Sequence, residues 1–396
     1  MLRAAVLALI TLGLLAGLAF AWARISADRA KKIWLLAFVL VVDGGMTTMT
    51  AHSFLARWGF RGDDARCGLE GLIDGTAARP FVYRRLAPEL IGAATNVVVS
   101  HVSPAKLEAF AEASPLKRYR VDQGPPRGLE SWTPRKAVAF QLAYVLVWFS
   151  LFGTTLAAAA LIQTVRRCSW FEALATATLA TALVPLMFVG GGYVYDAPEL
   201  LIWTALLTVV LRGWTWASVP LFALMLFNKE SALIGLPALA VIFWQQRGLV
   251  WAAAWSGGLG LLGVAWFFYV RHLFVALPGQ PMESWLSLNL HFWTDPRSYF
   301  KVGQFFAPGL PSPRGANLLV LVLVFLPFKW GWRDTPRTVR AATLATACVL
   351  VPLFIKSCYM DEIRNLSLLF PLFYVITVYG VHTLLQRPDE SATAHS

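Results

Sequence analysis

Residues 137–162 read AVAFQLAYVLVWFSLFGTTLAAAALI, a run of 26 residues without one charged side chain. A helix rises about 1.5 Å per residue, and roughly 20 apolar residues suffice to cross a hydrocarbon core. This run exceeds that need, so it reads as a membrane-spanning helix, and the rest of the chain can be placed around it.

Working outward, further apolar runs occur at 4–22, 33–50, 170–192, 199–212, 215–228, 231–245, 249–270, 316–332, 341–355 and 366–386. Together they predict an all-α, polytopic membrane protein of about ten or eleven spans. Several runs are short, and Pro185, Pro237 and Pro352 lie inside them; such pieces are tolerated where neighbouring helices bury them. The first run has only Arg3 ahead of it and a weak Ala21-Trp22-Ala23 cleavage signal, so it is expected to remain as an uncleaved helix. Composition agrees: 57% of the 396 residues are hydrophobic, 14% are charged, and mean hydropathy is +0.59. Seventeen tryptophans suit bilayer interfaces. The net charge of +12 is read as cytoplasmic Lys and Arg beside anionic lipid, not as a nucleic-acid surface, because no basic, aromatic-interleaved soluble module is present.

Short basic loops set the orientation. Arg24, Arg29, Lys31 and Lys32 precede the second run; Arg166 and Arg167, Arg212, Arg247, and Arg333, Arg337 and Arg340 follow alternate later ones. If the runs alternate, all of these fall on one side, which is expected to be the cytoplasm of a bacterial inner membrane. Residues 1–396 then form one membrane-embedded domain with a long first outer loop (51–136), a second (271–315) and a disordered cytoplasmic tail (387–396). Within the first loop, residues 87–102 are apolar enough for an interfacial helix. Cys67 and Cys358 share the outer side and are candidates for a disulfide.

The remaining charges gather where the helices meet that outer side: RGDDAR at 61–66, DGTAARPFVYRRL at 74–86, YVYDAPE at 193–199, NKES at 228–231 and DEIRN at 361–365. Ionisable groups at membrane depth are costly and usually pair or serve function. Three of the groups have a bland reading too: Lys229 and Glu230 as the solvated tip of a hairpin, Asp196 and Glu199 as a helix start favoured by the macrodipole, and Asp361, Glu362 and Arg364 as a self-neutralising set. A lipid-phosphate sugar donor would need an apolar groove, cations for its phosphate and a carboxylate base for the acceptor hydroxyl. The phosphate candidates are Arg79, Arg84, Arg85, Lys229 and Arg364. The base candidates are Asp63, Asp64, Asp74 and Asp196, with Tyr83, Tyr195, Glu199, Glu230 and Glu362 in support. There is no HExxH, Asp-x-Asp, Gly-x-Ser-x-Gly or Gly-rich phosphate loop. No metal site or required cofactor is read, although a divalent cation is compatible with the chemistry.

This pattern resembles the GT-C superfamily of integral-membrane glycosyltransferases, which use polyprenyl-phosphate sugars. The resemblance rests on the stretch 63–86, the Tyr195-Asp196 junction, the Asn228-Lys229-Glu230 tip and the 361–364 loop. It implies an inverting transfer to a periplasmic-side glycan, lipid or protein acceptor, with the base an acid of the first outer loop, Asp63 or Asp64. Asp43, near the outer end of the second run, is a further candidate. The chain departs from the family pattern in having an additional run ahead of the one that precedes the long loop. It also shows no large soluble C-terminal domain. A transporter or flippase of lipid-linked saccharides, and a polysaccharide polymerase or ligase, are the alternatives.

Overall fold

The computed structural model describes residues 29–58, 60, 66–117, 132–187, 192–280, 284–303, 312–313, 315–360 and 362–386. The run at 4–22, the tail at 387–396, and Asp63, Asp64 and Asp361 lie outside them. The chain is an all-α bundle: α1 (Arg29–Trp58), α2 (Leu69–Ile73), α3 (Leu86–His101), α4 (Pro104–Ala113), α5 (Pro134–Arg166), α6 (Trp170–Met187), α7 (Asp196–Leu211), α8 (Ser218–Asn228), α9 (Leu236–Arg247), α10 (Leu249–Leu273), α11 (Leu286–Thr294), α12 (Leu318–Gly331), α13 (Arg337–Ser357) and α14 (Phe370–Gln386). Extended structure is confined, among the described residues, to one antiparallel pairing of β1 (Val302–Gly303) with β2 (Ser312–Pro313).

Every apolar run among the described residues is helical. Five stretches, Lys32–His52, Pro134–Arg166, Leu249–Leu273, Arg337–Ser357 and Ile363–Thr383, are long and apolar enough to cross a membrane. The other expected spans are helices of 11 to 18 residues: α6, α7, α8, α9 and α12. The long helix α5 starts at Thr133, whose side chain accepts from the Lys136 N–H at 3.2 Å, with Pro134 at the position where a missing N–H costs nothing. It ends at Arg167, whose φ of 56° turns the chain in the left-handed region.

Helix α5 is the hub, packing on α1, α3, α6 and α7, while α9 packs on α10 and α13, and α12 on α14. Trp148, Phe140 and Tyr195 centre one apolar core, and Trp203, Phe222 and Phe243 a second. Backbone contact joins α12 to α14: a methyl group on Gly380 would overlap the Pro327 carbonyl, and one on Gly331 the Ile376 carbonyl. Small residues of this kind let helices meet closely where no aqueous hydrophobic effect drives them together.

The helices alternate in direction. At one end Arg212 Nε donates to Thr164 Oγ1 (2.9 Å), Gln246 to the Val210 carbonyl (2.8 Å) and Thr338 to Gln245 (2.6 Å). At the other, the Arg79 N–H donates to the Pro278 carbonyl (2.8 Å), Arg85 N–H to Phe227 O (3.0 Å) and Trp285 N–H to Lys356 O (2.8 Å). Asn289 caps the same junction, donating to Ile355 O (2.7 Å) and accepting from Met360 N–H (2.7 Å). The two long loops and the short polar junctions thus assemble at a single end, opposite the Arg-rich turns. Gly279, at φ 100°, lies so near the Arg79 backbone that no side chain fits there.

One placement differs from expectation. Helix α1 runs on to Trp58, past the end of its apolar stretch at His52, and Asp43 lies midway along α1 and not near its end. The apolar stretch 87–102 does form a helix, α3, and it packs against α5.

Candidate functional site

Asp196 and Glu199 open α7 and share one face of its first turn, three residues apart. Lys229 has extended backbone (φ −161°, ψ 137°) between α8 and the 3₁₀ turn Glu230–Gly235, and this break turns its side chain towards α7. Its ammonium donates to Glu199 Oε2 at 2.7 Å and to Asp196 Oδ1 at 3.1 Å. Arg364, in the first turn of the 3₁₀ segment Ile363–Leu369, donates to Asp196 Oδ2 at 3.2 Å and to Glu362 Oε2 at 3.0 Å. Arg84 follows the 3₁₀ turn Phe81–Tyr83 and grips both oxygens of Glu230, at 3.0 and 3.4 Å, while also donating to the Tyr195 hydroxyl. Four stretches far apart in sequence therefore meet in one ionic cluster.

Aromatic rings are threaded through it. Tyr193 and Tyr195 stack at 5.2 Å, Arg84 lies over the Tyr195 ring at 4.6 Å and Arg364 over the Tyr193 ring at 4.6 Å. Phe81 continues the series 5.3 Å from Tyr193. The remaining acceptor capacity is filled locally. The Tyr193 N–H donates to Asp196 Oδ2 (2.9 Å), Ser367 to Glu199 Oε2 (3.1 Å) and Ser231 to Glu199 Oε1.

Charge pairing overcomes burial here. Burial opposes the Lys229 ammonium, but Glu199 and then Asp196 outweigh it and hold its pKa above the ordinary lysine value. Burial likewise works against the Glu230 carboxylate, and the Arg84 guanidinium beside it outweighs that and holds its pKa below the usual value. The side chains are unequally covered. Asp196, Glu199, Lys229, Arg364 and Arg84 keep between 1% and 12% of their area exposed, whereas Glu362 keeps 19% and Glu230 28%. The last two are the partners nearest to solvent.

Of the residues singled out from sequence, Arg84, Tyr195, Asp196, Glu199, Lys229, Glu230, Glu362 and Arg364 come together. Others do not join them. Asp74 pairs with Arg135 at 3.1 Å, both side chains about half exposed. Arg85 binds Glu89 and the Leu72 carbonyl (2.8 Å), which anchors its own loop. Arg79 uses its backbone to dock the second loop, and its Nε is buried without an acceptor among the described residues. Tyr83 is buried, with its hydroxyl likewise unpartnered among the described residues. Cys67 and Cys358, candidates for a disulfide, are not bonded to each other. Ser231 and Ser367 belong to the cluster and were not anticipated; the only sequence signal was their place within a turn of Lys229 and Arg364. The pair formed by the buried Lys136 with the partly exposed Glu70 was also missed, because neither residue stands out in its surroundings. Among the described residues no three His, Cys, Asp or Glu side chains gather to hold a metal ion.

Fold and site together define a multi-pass, all-α membrane protein carrying a buried ionic cluster at one end of its bundle. No family model matches the chain, and no curated protein or solved structure does either.

Proposed function

We propose that this protein transfers a sugar from a polyprenyl-phosphate donor to an acceptor at the extracytoplasmic face of a bacterial inner membrane, as GT-C glycosyltransferases do. The observation that supports this reading is the convergence of Arg84, Lys229 and Arg364 around the Tyr193–Tyr195 stack, at the end where the long loops and polar junctions assemble.

At rest these cations are paired with carboxylates, so a phosphate must replace some of them. Glu230 and Glu362, the more exposed partners of Arg84 and Arg364, are the ones to leave. The two guanidiniums then turn their forked donors to the donor phosphate, where charge builds up on the leaving group. Lys229 stays with Asp196 and Glu199 and keeps those buried acids neutralised. Asp196 accepts from Lys229, Arg364 and the Tyr193 N–H. That suits it to position cations and leaves it little capacity to take a proton from an acceptor. The base falls to Asp63 or Asp64, in the stretch of chain that leads to Arg84. Inversion follows from a single displacement with that base.

The test is transfer of radiolabelled sugar from a polyprenyl-phosphate donor in proteoliposomes. Arg84→Gln and Arg364→Gln are expected to lose about 100-fold or more of the rate, and Asp63→Asn or Asp64→Asn to abolish it. Full activity in the Asn variants of Asp63, Asp64, Asp74 and Asp196 alike would overturn the assignment of the base. One observation favours a transporter instead: a carboxylate, Asp43, buried midway along a spanning helix. Movement of lipid across the vesicle without any new glycosidic bond would establish that alternative.

A further inference from the structure

Asp43 lies on the buried stripe of α1 formed by Leu36, Leu40, Thr47 and Ala51, and it is itself fully covered. Neither carboxyl oxygen has a hydrogen-bond donor among the described residues. The Thr155 hydroxyl of α5 lies beside it. Thr155 is paired with Thr181 of α6, and Thr181 points its proton towards the Ala177 carbonyl at 3.4 Å. Thr47, the next hydroxyl along α1, is buried with its Oγ1 likewise unpartnered among the described residues, and Thr48 donates to the Gly44 carbonyl (2.8 Å) and accepts from Trp148 Nε1–H (2.9 Å).

Among the described residues no charged group is in hydrogen-bonding contact with Asp43. Helix α1 packs on α5 and α6, whose charged residues are paired at the helix ends: Arg135 with Asp74, Lys136 with Glu70, and Arg166 with Glu172. On α1 itself the basic residues cluster in the first turn, with His52 and Arg57 near the other end. An ionised carboxylate in such a place would need several donors or a counter-ion. A neutral carboxyl needs only one acceptor, and the threonine pair offers it in sequence. A neutral Asp43 would donate to Thr155, which in turn can donate to Thr181, whose hydroxyl faces the Ala177 carbonyl.

We propose that Asp43 is a proton-binding site within the bundle, its carboxyl resting neutral against Thr155 where α1 packs on α5 and α6. The inference is independent of the glycosyl-transfer reading. It also removes Asp43 from the candidate bases, since a base must start ionised.

Infrared difference spectroscopy of the purified protein at neutral pH tests it. The expected result is a protonated-carboxyl C=O band, above the amide region, that is present in the wild type and missing in Asp43→Asn. A hydrophobic carbodiimide, which attacks protonated buried carboxyls, should modify Asp43 in the wild type, so the readout survives if the variant does not fold. Absence of both the band and the modification would overturn the proposal. Loss of either on adding sodium ions would overturn it in favour of a cation site built from the same hydroxyls.

Discussion

Lys229 is held between two acids, 2.7 Å from Glu199 and 3.1 Å from Asp196, with nine-tenths of its side chain covered. Removing it leaves two buried carboxylates facing each other, a loss of about 3–5 kcal/mol for a broken buried pair. Lys229→Met should therefore lower the thermal midpoint in detergent markedly, and adding Glu199→Gln should recover part of the loss; an unchanged midpoint would contradict the pairing. Glu230 gives a pH signature. Its folded pKa is depressed below the ordinary value of 4.5, so the stability it contributes is present above that value and lost as pH falls through the lower folded one. The difference in thermal midpoint between the wild type and Glu230→Gln should be full near neutrality and vanish on acidification; a constant difference would contradict it. Eight of the cluster's residues were legible in the sequence because charges are conspicuous between apolar runs. Arg85 and Asp74 were equally conspicuous, but hydrogen bonds to their own loop and to Arg135 take them elsewhere, and nothing in a linear string reports which partner a long side chain will find.

The helices themselves were legible from apolar length, and their boundaries less so. Helix α1 continues to Trp58 because the apolar and hydroxyl residues after position 50 keep packing against neighbours, with Ala51 and Leu55 buried. The short helices α8 and α9 were readable only as runs, since the break that separates them at Lys229 is a backbone event with no Gly or Pro at the bend itself. The α12–α14 crossing is a sharper case: Gly331 and Gly380 look unremarkable in sequence, yet each touches the partner backbone. Gly380→Ala should destabilise the protein in a thermal unfolding assay, while Gly257→Ala, where nothing lies within 4 Å of the added methyl, should leave it unchanged. Equal behaviour of the two variants would contradict the close crossing.

Across the whole molecule, alternating helices carry the Arg-rich turns to one end and both long loops to the other. In a cysteine-free background, Ser287→Cys on α11 should react with a membrane-impermeant maleimide in intact cells. Arg337→Cys at the start of α13 should react only after permeabilisation. The reverse pattern would invert the topology. The overall arrangement could be anticipated because bilayer thickness and charge asymmetry act on the chain as a whole; the cluster's near-complete burial could not, since it depends on how four remote segments pack. The central claim is that this cluster receives a lipid phosphate, and photo-crosslinking with a diazirine-bearing polyprenyl phosphate tests it most directly. The account predicts adducts on the segments carrying Arg84, Tyr193, Lys229 and Arg364, competed by unlabelled polyprenyl phosphate but not by the neutral polyprenol. Adducts confined to the lipid-facing surface of α10, or equal competition by the uncharged alcohol, would contradict it.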